Sequence, residues 1–571
     1  MTSLTTYRHS VLILILMAVT LLGSLPGLSS MQVIDRDEAR FAQASIQMRD
    51  SGDYVNIRFH DRERHKKPVG IYWLQTASLK LFSSPQKRDI WVHRLPSVLA
   101  GLLAVIGLYW SGLILYNKQG AFIAALLFST SFLLIFESHM AKTDAALCAA
   151  SVWAFGAILR LRAPQQSATH SRAGLILWVA LGCGVILKGP ILPAIVITAW
   201  ITIIIWEMKL EKNHSPWATI FNPLGLCLFG LIVIPWYIMI YKETGGTFFS
   251  TAISSDLTPK LTGSQETHGG LPGYYALTMF VTLWPAAIFL LSSLAYGLKA
   301  AKASNDTSLN PSYARWLLAW IIPFWIILEL TPTKLPHYVL PLFPAIALLM
   351  AGAVMDMNRH KSFPKTRYMG ALIFFIVSAS LIFIVAGADA YYGENNLWVY
   401  GLAVIILLLA LMAMVWACQG HIIRSLVGTI LTGLGLSIPT YAQIMPNLNR
   451  LRIAPNIAAT IQQHNEALSR NDEVLIRSSH FTEPSLVYYH RGQVLFGDKA
   501  DDYNKYPAQA GQIWIIDAKI TDSAARLKVI QDIATYNEMC LSTLGDFAGM
   551  NYSNGNEVDI RLYTIKDCKN N

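Results

Sequence analysis

The chain has 571 residues, of which 53% are hydrophobic and only 14% are charged, and its formal net charge is +10. A mean hydropathy of +0.40 excludes a soluble globule, and long apolar runs with few charges are typical of membrane helices. The positive balance does not indicate a nucleic-acid partner, because the Lys and Arg residues fall mostly in short connectors between apolar runs, as they do in cytoplasmic loops. The composition therefore predicts a polytopic α-helical membrane protein.

The apolar runs predict about thirteen transmembrane helices. The first run could also be a cleaved signal peptide, but its length and the lack of a clear cleavage site favour an uncleaved helix. The candidate spans are 11–28, 91–116, 120–138, 144–161, 174–187, 189–206, 222–241, 274–296, 316–330, 337–355, 368–387, 397–417 and 423–441.

The number of helices between residues 174 and 206 decides the predicted orientation. This stretch is either one helix or two helices that meet at Lys188-Gly189-Pro190. Two helices place the connector cations on one side of the membrane along the whole chain, as the positive-inside rule requires. We therefore expect two helices, with the N-terminus in the cytoplasm and the C-terminus outside.

The chain divides into a membrane domain, 1–443, whose first outside loop is 29–90, and a polar tail, 444–571. Periodicity in the tail predicts a small extracytoplasmic α/β domain. Its helices are expected at 456–468 and 521–534, and its buried strands at 473–477 and 512–517. Cys540 and Cys568 could form a disulfide in this domain, although the sequence alone does not show the pairing.

The first outside loop holds most of the candidate chemistry. Asp35, Asp37 and Glu38 could be acids in the first turn of a helix over 39–48, or they could supply a general base. Cations in the same loop could pair with these acids or with lipid head groups, or they could stabilise the phosphate of a leaving group. Those cations are Arg40, Arg58, Lys66 and Lys67.

Three residues outside this loop are further candidates. Asp144 opens an apolar helix, either as part of an N-cap or as a second acid. Lys188 stands in a tight turn, where it could simply extend its amine to the membrane surface. His268 is either a hydrogen-bonded loop residue or a metal ligand, and no second certain ligand accompanies it. All of these segments fall on the predicted outer face.

The loop motifs DRDEARFA, SGDYVNIRF and HKKPVGIYW resemble the first-loop signature of the bacterial GT-C membrane glycosyltransferases. The similar branch is the glycosyltransferase 39/83 superfamily, which contains protein O-mannosyltransferases and lipid A aminoarabinose transferases. The predicted spans with an outside C-terminal domain also resemble the aminoarabinose transferase layout. Further matches follow in the expected order: WVHRLPSVLAG, HMAKTDAAL, LKGPI, SSDLTPKLTGSQETHGGLPGYY and TKLPHYVLPLFPAIALLMAG.

The resemblance implies a bacterial inner-membrane enzyme that transfers a sugar, with inversion, from a polyprenyl-phosphate donor to a periplasmic acceptor. The acceptor would be lipid A, another envelope glycan or a protein Ser/Thr. Asp37 matches the family's catalytic first-loop acid, and Asp144 matches its second functional acid. The positions that match residues near the donor phosphate are Arg40, Lys67 and Tyr338.

The resemblance leaves a divalent metal open and makes no cofactor certain. His268 matches a position that can share a metal with a glutamate preceding the Lys-Pro lysine. In this chain the preceding residue is Lys66, whose charge could replace that of a metal.

Two other classes of protein compete with a transferase. A transporter or lipid flippase also has many spans, but transporters usually place charges in broken helices near the midplane, often in repeated halves. A sugar-binding or assembly protein would depend on its tail and tolerate Asp37→Asn.

Overall fold

The computed structural model describes residues 8–84, 87–162, 167–210, 221–263, 269–302, 309–467, 475–496, 511–536 and 538–568. Most of these residues form helices, and a five-stranded sheet follows near the C-terminus. The helices before that sheet are α1 (His9–Ser24), α2 (Arg36–Ser51), α3 (Gly70–Phe82), α4 (Ile90–Leu115), α5 (Lys118–Ser129), α6 (Phe132–Ser138), α7 (Asp144–Leu161), α8 (Ser167–Lys188), α9 (Ile191–Leu210), α10 (Pro223–Thr244), α11 (Thr247–Thr251), α12 (Thr258–Thr262), α13 (Tyr274–Thr282), α14 (Leu290–Ala301), α15 (Pro311–Leu330), α16 (Phe343–His360), α17 (Pro364–Tyr392), α18 (Leu397–Gln419), α19 (Ile422–Pro439) and α20 (Ile453–Ala467).

The apolar helices confirm a multi-pass membrane protein. Among the described residues, eight helical segments are long and apolar enough to cross a membrane, and α5 with α6, bent by 61°, adds a ninth if the two are one broken span. Shorter apolar helices occupy further predicted spans, including α1 and part of α9. The total of thirteen spans stays a prediction.

The stretch 174–206 forms two helices, as the charge distribution predicted. Helix α8 ends at Lys188 and α9 begins at Ile191. Gly189 between them has a φ of +66°, a conformation that glycine adopts without the steric cost that other residues meet. Pro190 then removes a backbone donor at the point where a continuous helix would need one. The break places Lys188 at the end of its helix, where its side chain can reach other segments.

The loop over 29–90 folds into α2, a small hairpin of β1 (Arg58–Phe59) and β2 (Arg62–Glu63), and α3. Helix α2 is longer than the helix predicted over 39–48, and it ends at Gly52, which has a φ of +71°. It packs against α3 on one side and against the C-terminal domain on the other. These contacts fix its first turn, which carries the loop's carboxylates.

The C-terminal region combines helices with one mixed sheet. Its helices after α20 are α21 (Pro484–Tyr489) and α22 (Ser523–Tyr536), and its strands are β3 (Ile476–Ser478), β4 (Val494–Phe496), β5 (Ile513–Asp517), β6 (Met539–Met550) and β7 (Glu557–Asp567). The strand order is β4-β3-β5-β7-β6, in which β4, β3 and β5 are parallel and β7 and β6 are antiparallel. The predicted α/β class is therefore confirmed, although the long β6–β7 hairpin was not expected.

A disulfide joins the two ends of the β6–β7 hairpin. Cys540 and Cys568 have an S–S distance of 2.08 Å, so the pairing that the sequence left open is present. Disulfides persist in oxidising compartments such as the periplasm.

Candidate active site

The first turn of α2 gives its three carboxylates three different environments. Asp35 is the N-cap, and its Oδ1 accepts hydrogen bonds from the backbone N–H groups of Asp37 at 2.7 Å and of Glu38 at 3.1 Å. This contact satisfies donors that would otherwise lack partners at a helix start. The capping interpretation of the acidic cluster is thus correct for Asp35, and it leaves the Asp37 side chain exposed. We call the exposed surface formed by Asp37 and the neighbouring cations Arg40, Arg64 and Lys67 the cleft.

Asp37 is the carboxylate that faces the cleft. Its side chain is 52% exposed, and Oδ1 pairs with Arg40 Nη1 at 3.3 Å and with Arg64 Nη2 at 3.2 Å. The surrounding protein displaces part of the water around this half-exposed carboxylate and would by itself raise the pKa of Asp37, but the charges of Arg64, Arg40, Lys67 and Lys142 hold that pKa well below its usual range. Asp37 is therefore a fixed anion within a group of cations.

Arg64 is held in place by aromatic neighbours. Its side chain is 9% exposed, its Nε donates to Tyr72 Oη at 3.3 Å, and its guanidinium lies 5.5 Å from the centre of the Phe41 ring. A guanidinium over an aromatic face gains a cation–π attraction. Arg64 was not among the predicted site residues, although it lies within three positions of Lys66 and Lys67 in the same charged stretch.

Glu38 does not face the cleft, which corrects its place among the candidate site residues. Both it and Arg94 are 0% exposed, and they form a two-point pair, with Arg94 Nε to Oε1 at 2.8 Å and Arg94 Nη2 to Oε2 at 3.0 Å. Arg94 also donates to the carbonyls of Leu28, Met31 and Gln32. This buried pair attaches α2 to α4 and to the end of the α1 segment.

Lys142 extends the charged group toward the second acid. Its Nζ lies 3.2 Å from Asp35 Oδ2 and 3.4 Å from Glu137 Oε1, and its side chain is 6% exposed. Burial by itself would lower the pKa of Lys142, but the surrounding carboxylates, led by Glu137 and Asp35, raise it well above its usual range. Lys142 is therefore a permanent cation that connects the first loop with the 137–144 turn.

Asp144 is buried and paired rather than being a simple part of a helix cap. It forms an ion pair with Lys188, which shows that Lys188 turns inward instead of extending to the membrane surface. His337 Nε2 lies 3.8 Å from Asp144 Oδ1, and His337 Nδ1 lies 3.8 Å from Glu137 Oε1. The Lys188 amine lies 5.3 Å from the centre of the Tyr338 ring, so the predicted residues Asp144, Lys188 and Tyr338 come together.

The remaining predicted cations have different positions. Lys67 is half-buried, and its charge acts on Asp37. Arg58 is exposed on β1, and Lys66 is exposed in the turn before α3. The charges that act most strongly on Asp37 are those of Arg64, Arg40, Lys67 and Lys142 rather than those of Arg58 or Lys66. Arg58 and Lys66 therefore remain predicted phosphate ligands, and no contact with Asp37 supports their role.

The predicted metal site stays a prediction, because it rests on His268. His268 lies outside the described residues, and position 66 offers an amine instead of a carboxylate. Within the described part of the chain, no group of three or more His, Cys, Asp or Glu side chains could hold a metal ion. The described donors therefore do not form a metal site.

Sequence reasoning missed Arg64, Arg94, Glu137, Lys142 and His337. Each stands in a stretch that also holds a predicted residue or a quoted motif; Lys142, for example, is two residues before Asp144, and His337 immediately precedes Tyr338. Their contacts join distant parts of the chain: the partners Lys142 and Asp35 are 107 positions apart. The only available signal was proximity to the motif residues, and it does not identify a contact.

An apolar cavity of about 650 Å³ opens beside this charged group. It is lined by α3, α4, α7 and α8, including Leu74, Phe82, Leu99 and Trp153. Ala146 and Leu187, which also line it, are close in sequence to the ion-paired Asp144 and Lys188. A hydrocarbon chain in this cavity would therefore extend away from the charged end of the site.

Comparison with known proteins identifies relatives of this chain. Residues 65–245 match the family model described as dolichyl-phosphate-mannose-protein mannosyltransferase. An undecaprenyl phosphate-α-4-amino-4-deoxy-L-arabinose arabinosyl transferase of Erwinia tasmaniensis is 26% identical over 319 residues, which are 55% of this chain and 54% of the relative. The enzyme of the same description from Yersinia pestis (strain Pestoides F) is 23% identical over 356 residues, covering 62% of this chain and 61% of the relative. The matches thus span little more than half the length of these curated relatives.

The fold comparison extends over nearly the whole chain. The crystal structure of ArnT from Cupriavidus metallidurans bound to undecaprenyl phosphate matches with a TM-score of 0.74 and 17% identity, covering 97% of this chain and 98% of that one. The structure of the same protein in the apo state matches with a TM-score of 0.72, 16% identity and 97% coverage of both chains. The resemblance predicted from the motifs is thereby confirmed: this chain has the fold of the ArnT-like GT-C membrane glycosyltransferases and shares part of its sequence with them.

Proposed function

We propose that this chain is an inverting glycosyltransferase that moves a sugar from a polyprenyl phosphate to a periplasmic acceptor, either lipid A or another envelope glycan. The observation that carries the proposal is the half-exposed Asp37 carboxylate, which pairs with Arg40 and Arg64 and is also within the field of the buried Lys142 amine. A carboxylate orients or deprotonates an acceptor, and cations stabilise the negative charge that forms on a departing phosphate.

The cations and the apolar cavity account for the donor. A polyprenyl phosphate carries its own leaving group, so its phosphate needs positive charge and its tail needs an apolar surface. Lys67, Lys142 and Lys188 supply the charge on the site side, and the cavity of about 650 Å³ between α3 and α8 can hold part of the tail. Relatives described as undecaprenyl-phosphate sugar transferases and an ArnT structure bound to undecaprenyl phosphate support this donor class.

The transfer is a single displacement at the anomeric carbon. An acceptor oxygen forms a bond to that carbon while the bond to the donor phosphate oxygen breaks, and the electron pair leaves with the polyprenyl phosphate. If the acceptor is a hydroxyl, its proton goes to Asp37; if it is an ionised phosphate, Asp37 only orients it. The cations that surround Asp37 make it a weak base, which favours an acceptor that is already ionised.

We place the enzyme in a bacterial inner membrane, with a cytoplasmic N-terminus, a membrane domain over 1–443 and a periplasmic domain over 444–571. The distribution of cations in the predicted connectors supports the orientation. The Cys540–Cys568 disulfide supports a location of the C-terminal domain in an oxidising compartment. Surrounding membrane lipids are its other partners.

A protein acceptor is the second candidate. The family model that matches residues 65–245 is described by a protein mannosyltransferase activity, so a Ser or Thr hydroxyl on a secreted protein would be the acceptor. With this acceptor Asp37 would have to accept the hydroxyl proton.

Mass spectrometry of the cell envelope tests these possibilities together. Lipid A, glycans and envelope proteins are compared between cells that lack the gene and cells that carry either the wild-type chain or the Asp37→Asn variant. We expect one class of molecule to gain the mass of one sugar only with the wild-type chain, and the modified class identifies the acceptor. A wild-type chain that changes no envelope mass would contradict the proposal. An Asp37→Asn variant that restores the full mass change would also contradict it, and this is the result that a transporter would give.

A further inference from the structure

A cluster of arginines lies at the junction between the membrane domain and the C-terminal domain. Arg49 is at the end of α2, Arg88 is in the connector between α3 and α4, and Arg491 follows α21. Arg88 Nη1 donates to Gln43 of α2 at 3.2 Å, and the Tyr488 hydroxyl of α21 donates to the Arg88 carbonyl at 3.0 Å, so the three segments that carry these arginines meet here. Like charges repel, and their convergence requires a compensating group.

Two of these guanidinium groups have buried N–H groups without a hydrogen-bond acceptor. The side chain of Arg49 is only 8% exposed, and its Nε pairs with Asp50 at 2.8 Å, but its Nη1 is buried without an acceptor. Arg88 Nη1 donates to Gln43 Oε1 at 3.2 Å, while Arg88 Nε is also buried without an acceptor. Buried donors left unmatched are costly, and a bound acceptor removes that cost.

Asp50 is a carboxylate that compensates the cluster in part. Asp50 acts on Arg88, but its carboxylate is already paired with Arg49 and is half-exposed. Burial, followed by the charges of Arg491 and Arg49, lowers the pKa of Arg88 to about 10 although Tyr488 and Asp50 oppose the shift. Next to Arg491, the Nε2 atom of the buried His490 also has no hydrogen-bond partner among the described residues. Among the described residues, Arg49 Nη1 and Arg88 Nε therefore remain as donors without an acceptor.

The position of the cluster indicates where an anion would come from. Arg88 precedes the membrane-spanning helix α4 by two residues. The ring of Phe82, at the end of α3, lies 6.3 Å from the ring of Trp91, near the start of α4. Aromatic side chains concentrate at the boundary between membrane and water. Phosphate groups of lipids occupy the same level, and a guanidinium binds two phosphate oxygens at once.

We propose that Arg49 and Arg88 bind the phosphate group of a lipid in the outer leaflet of the membrane that holds this chain. Arg49 lies on α2 roughly 18 Å along the helix axis from Asp37, so this site is separate from the proposed reaction centre and does not depend on it. The phosphate links α2, the α3–α4 connector and the C-terminal domain. Free inorganic phosphate presents the same charged oxygens to the arginines, so it is the alternative ligand that the test distinguishes from a lipid.

The test uses the full-length protein purified in a neutral detergent. In the first measurement inorganic phosphate replaces chloride at constant ionic strength, and the melting temperature is followed against phosphate concentration. In the second, native mass spectrometry compares retention of phosphatidylglycerol with retention of phosphatidylcholine. Arg49→Gln and Arg88→Gln are compared with wild type, and Lys87→Gln, which removes an exposed neighbouring cation, is the matched control.

We expect either arginine substitution to weaken binding by about tenfold or more, because each removes charge-assisted hydrogen bonds. Lys87→Gln should bind like wild type. Arginine-dependent binding of phosphatidylglycerol alone assigns the site to a lipid, and arginine-dependent binding of inorganic phosphate as well shows that the phosphate group itself is recognised. Equal binding by wild type and both arginine variants in both measurements would overturn the proposal. If Arg88→Gln does not fold, Arg88→Lys replaces it, and it should bind more weakly than wild type because the two-point fork is lost.

Discussion

Neighbouring carboxylates on α2 have different roles because each meets a different partner. Asp35 caps the helix and pairs with Lys142, Asp37 faces the cleft between Arg40 and Arg64, and Glu38 is completely buried against Arg94. Spacing alone shows three acids in four positions and cannot separate these roles. The exposed and ionised Asp37 is the residue that an acceptor can reach.

Asp37→Asn should lower the turnover number by about 10²- to 10⁴-fold if the acceptor is a hydroxyl, the usual range for the loss of a general base, and by less if Asp37 only orients an ionised acceptor. The amide keeps the shape of the side chain but loses its charge, so donor binding should change much less than turnover. The measurement is sugar transfer by the purified protein at several donor concentrations. Asp61→Asn is the control, since Asp61 is an exposed acid of the same loop; a comparable loss in that variant would remove the special role of Asp37.

Arg64→Gln should move the acid limb of the pH–rate profile to higher pH. Burial raises the pKa of Asp37, but the charge of Arg64 is the largest of the opposing effects that hold this pKa below its usual range. Wild-type transfer should therefore not decline as pH falls to about 4, where an ordinary aspartate begins to gain its proton. Without Arg64 the pKa of Asp37 rises and transfer is lost at a higher pH. Identical acid limbs in wild type and variant would contradict the role of Arg64.

At the scale of elements, α2 is the helix that presents the site, and buried contacts on several sides fix its position. Glu38 pairs with Arg94 of α4, and the backbone N–H of Ala141 donates to Glu38 at 3.0 Å. Ser45 Oγ donates to Gln75 Oε1 of α3 at 2.8 Å. The first turn of α2 therefore has a fixed position relative to the membrane helices.

Arg94→Met should destabilise the protein by about 3–5 kcal/mol, because it leaves Glu38 as a buried and unpaired charge. The lost hydrogen bonds to the backbone near Met31 add to this effect. Thermal unfolding of the purified protein in detergent provides the measurement. Arg62→Gln is the control, since that arginine is 88% exposed and exposed ion pairs contribute little; similar melting temperatures for the two variants would rule out the structural role of Arg94.

At the scale of the whole molecule, the C-terminal domain holds the start of α2 from the side opposite the membrane helices. Arg36 Nε lies 3.3 Å from Glu483 Oε2, and the backbone N–H of Val33 donates to Tyr489 Oη at 3.3 Å. Glu483 also accepts from Asn551 Nδ2 at 2.9 Å, at the tip of the β6–β7 hairpin. The domain therefore contacts the residues that flank Asp37 and contributes to their position.

Glu483→Ala should loosen the contact of this domain with α2, because Arg36 loses its ion-pair partner across the junction. A half-exposed pair contributes about 0.2–1 kcal/mol, which corresponds to roughly a 1.4- to 5-fold rise in undocked molecules. Limited proteolysis between the domains measures that population. Glu557→Ala is the matched control in the same domain, because Glu557 is half-exposed and pairs with Lys519 at the surface; equal cleavage rates in the two variants would exclude docking through Glu483.

The sequence by itself determined the membrane helices, the break at Gly189 and the charged first loop. These features are local, since apolar length, a Gly-Pro step and a dense run of charges are each visible within a short window. The motifs also led to Asp37, Asp144 and the ArnT-like fold. Only the tertiary structure decided which charges face the cleft and which are buried in pairs. Glu38 meets Arg94 across 56 positions, and Lys142 meets Asp35 across 107. Such contacts depend on how helices pack in three dimensions, and no local pattern of residues records that packing.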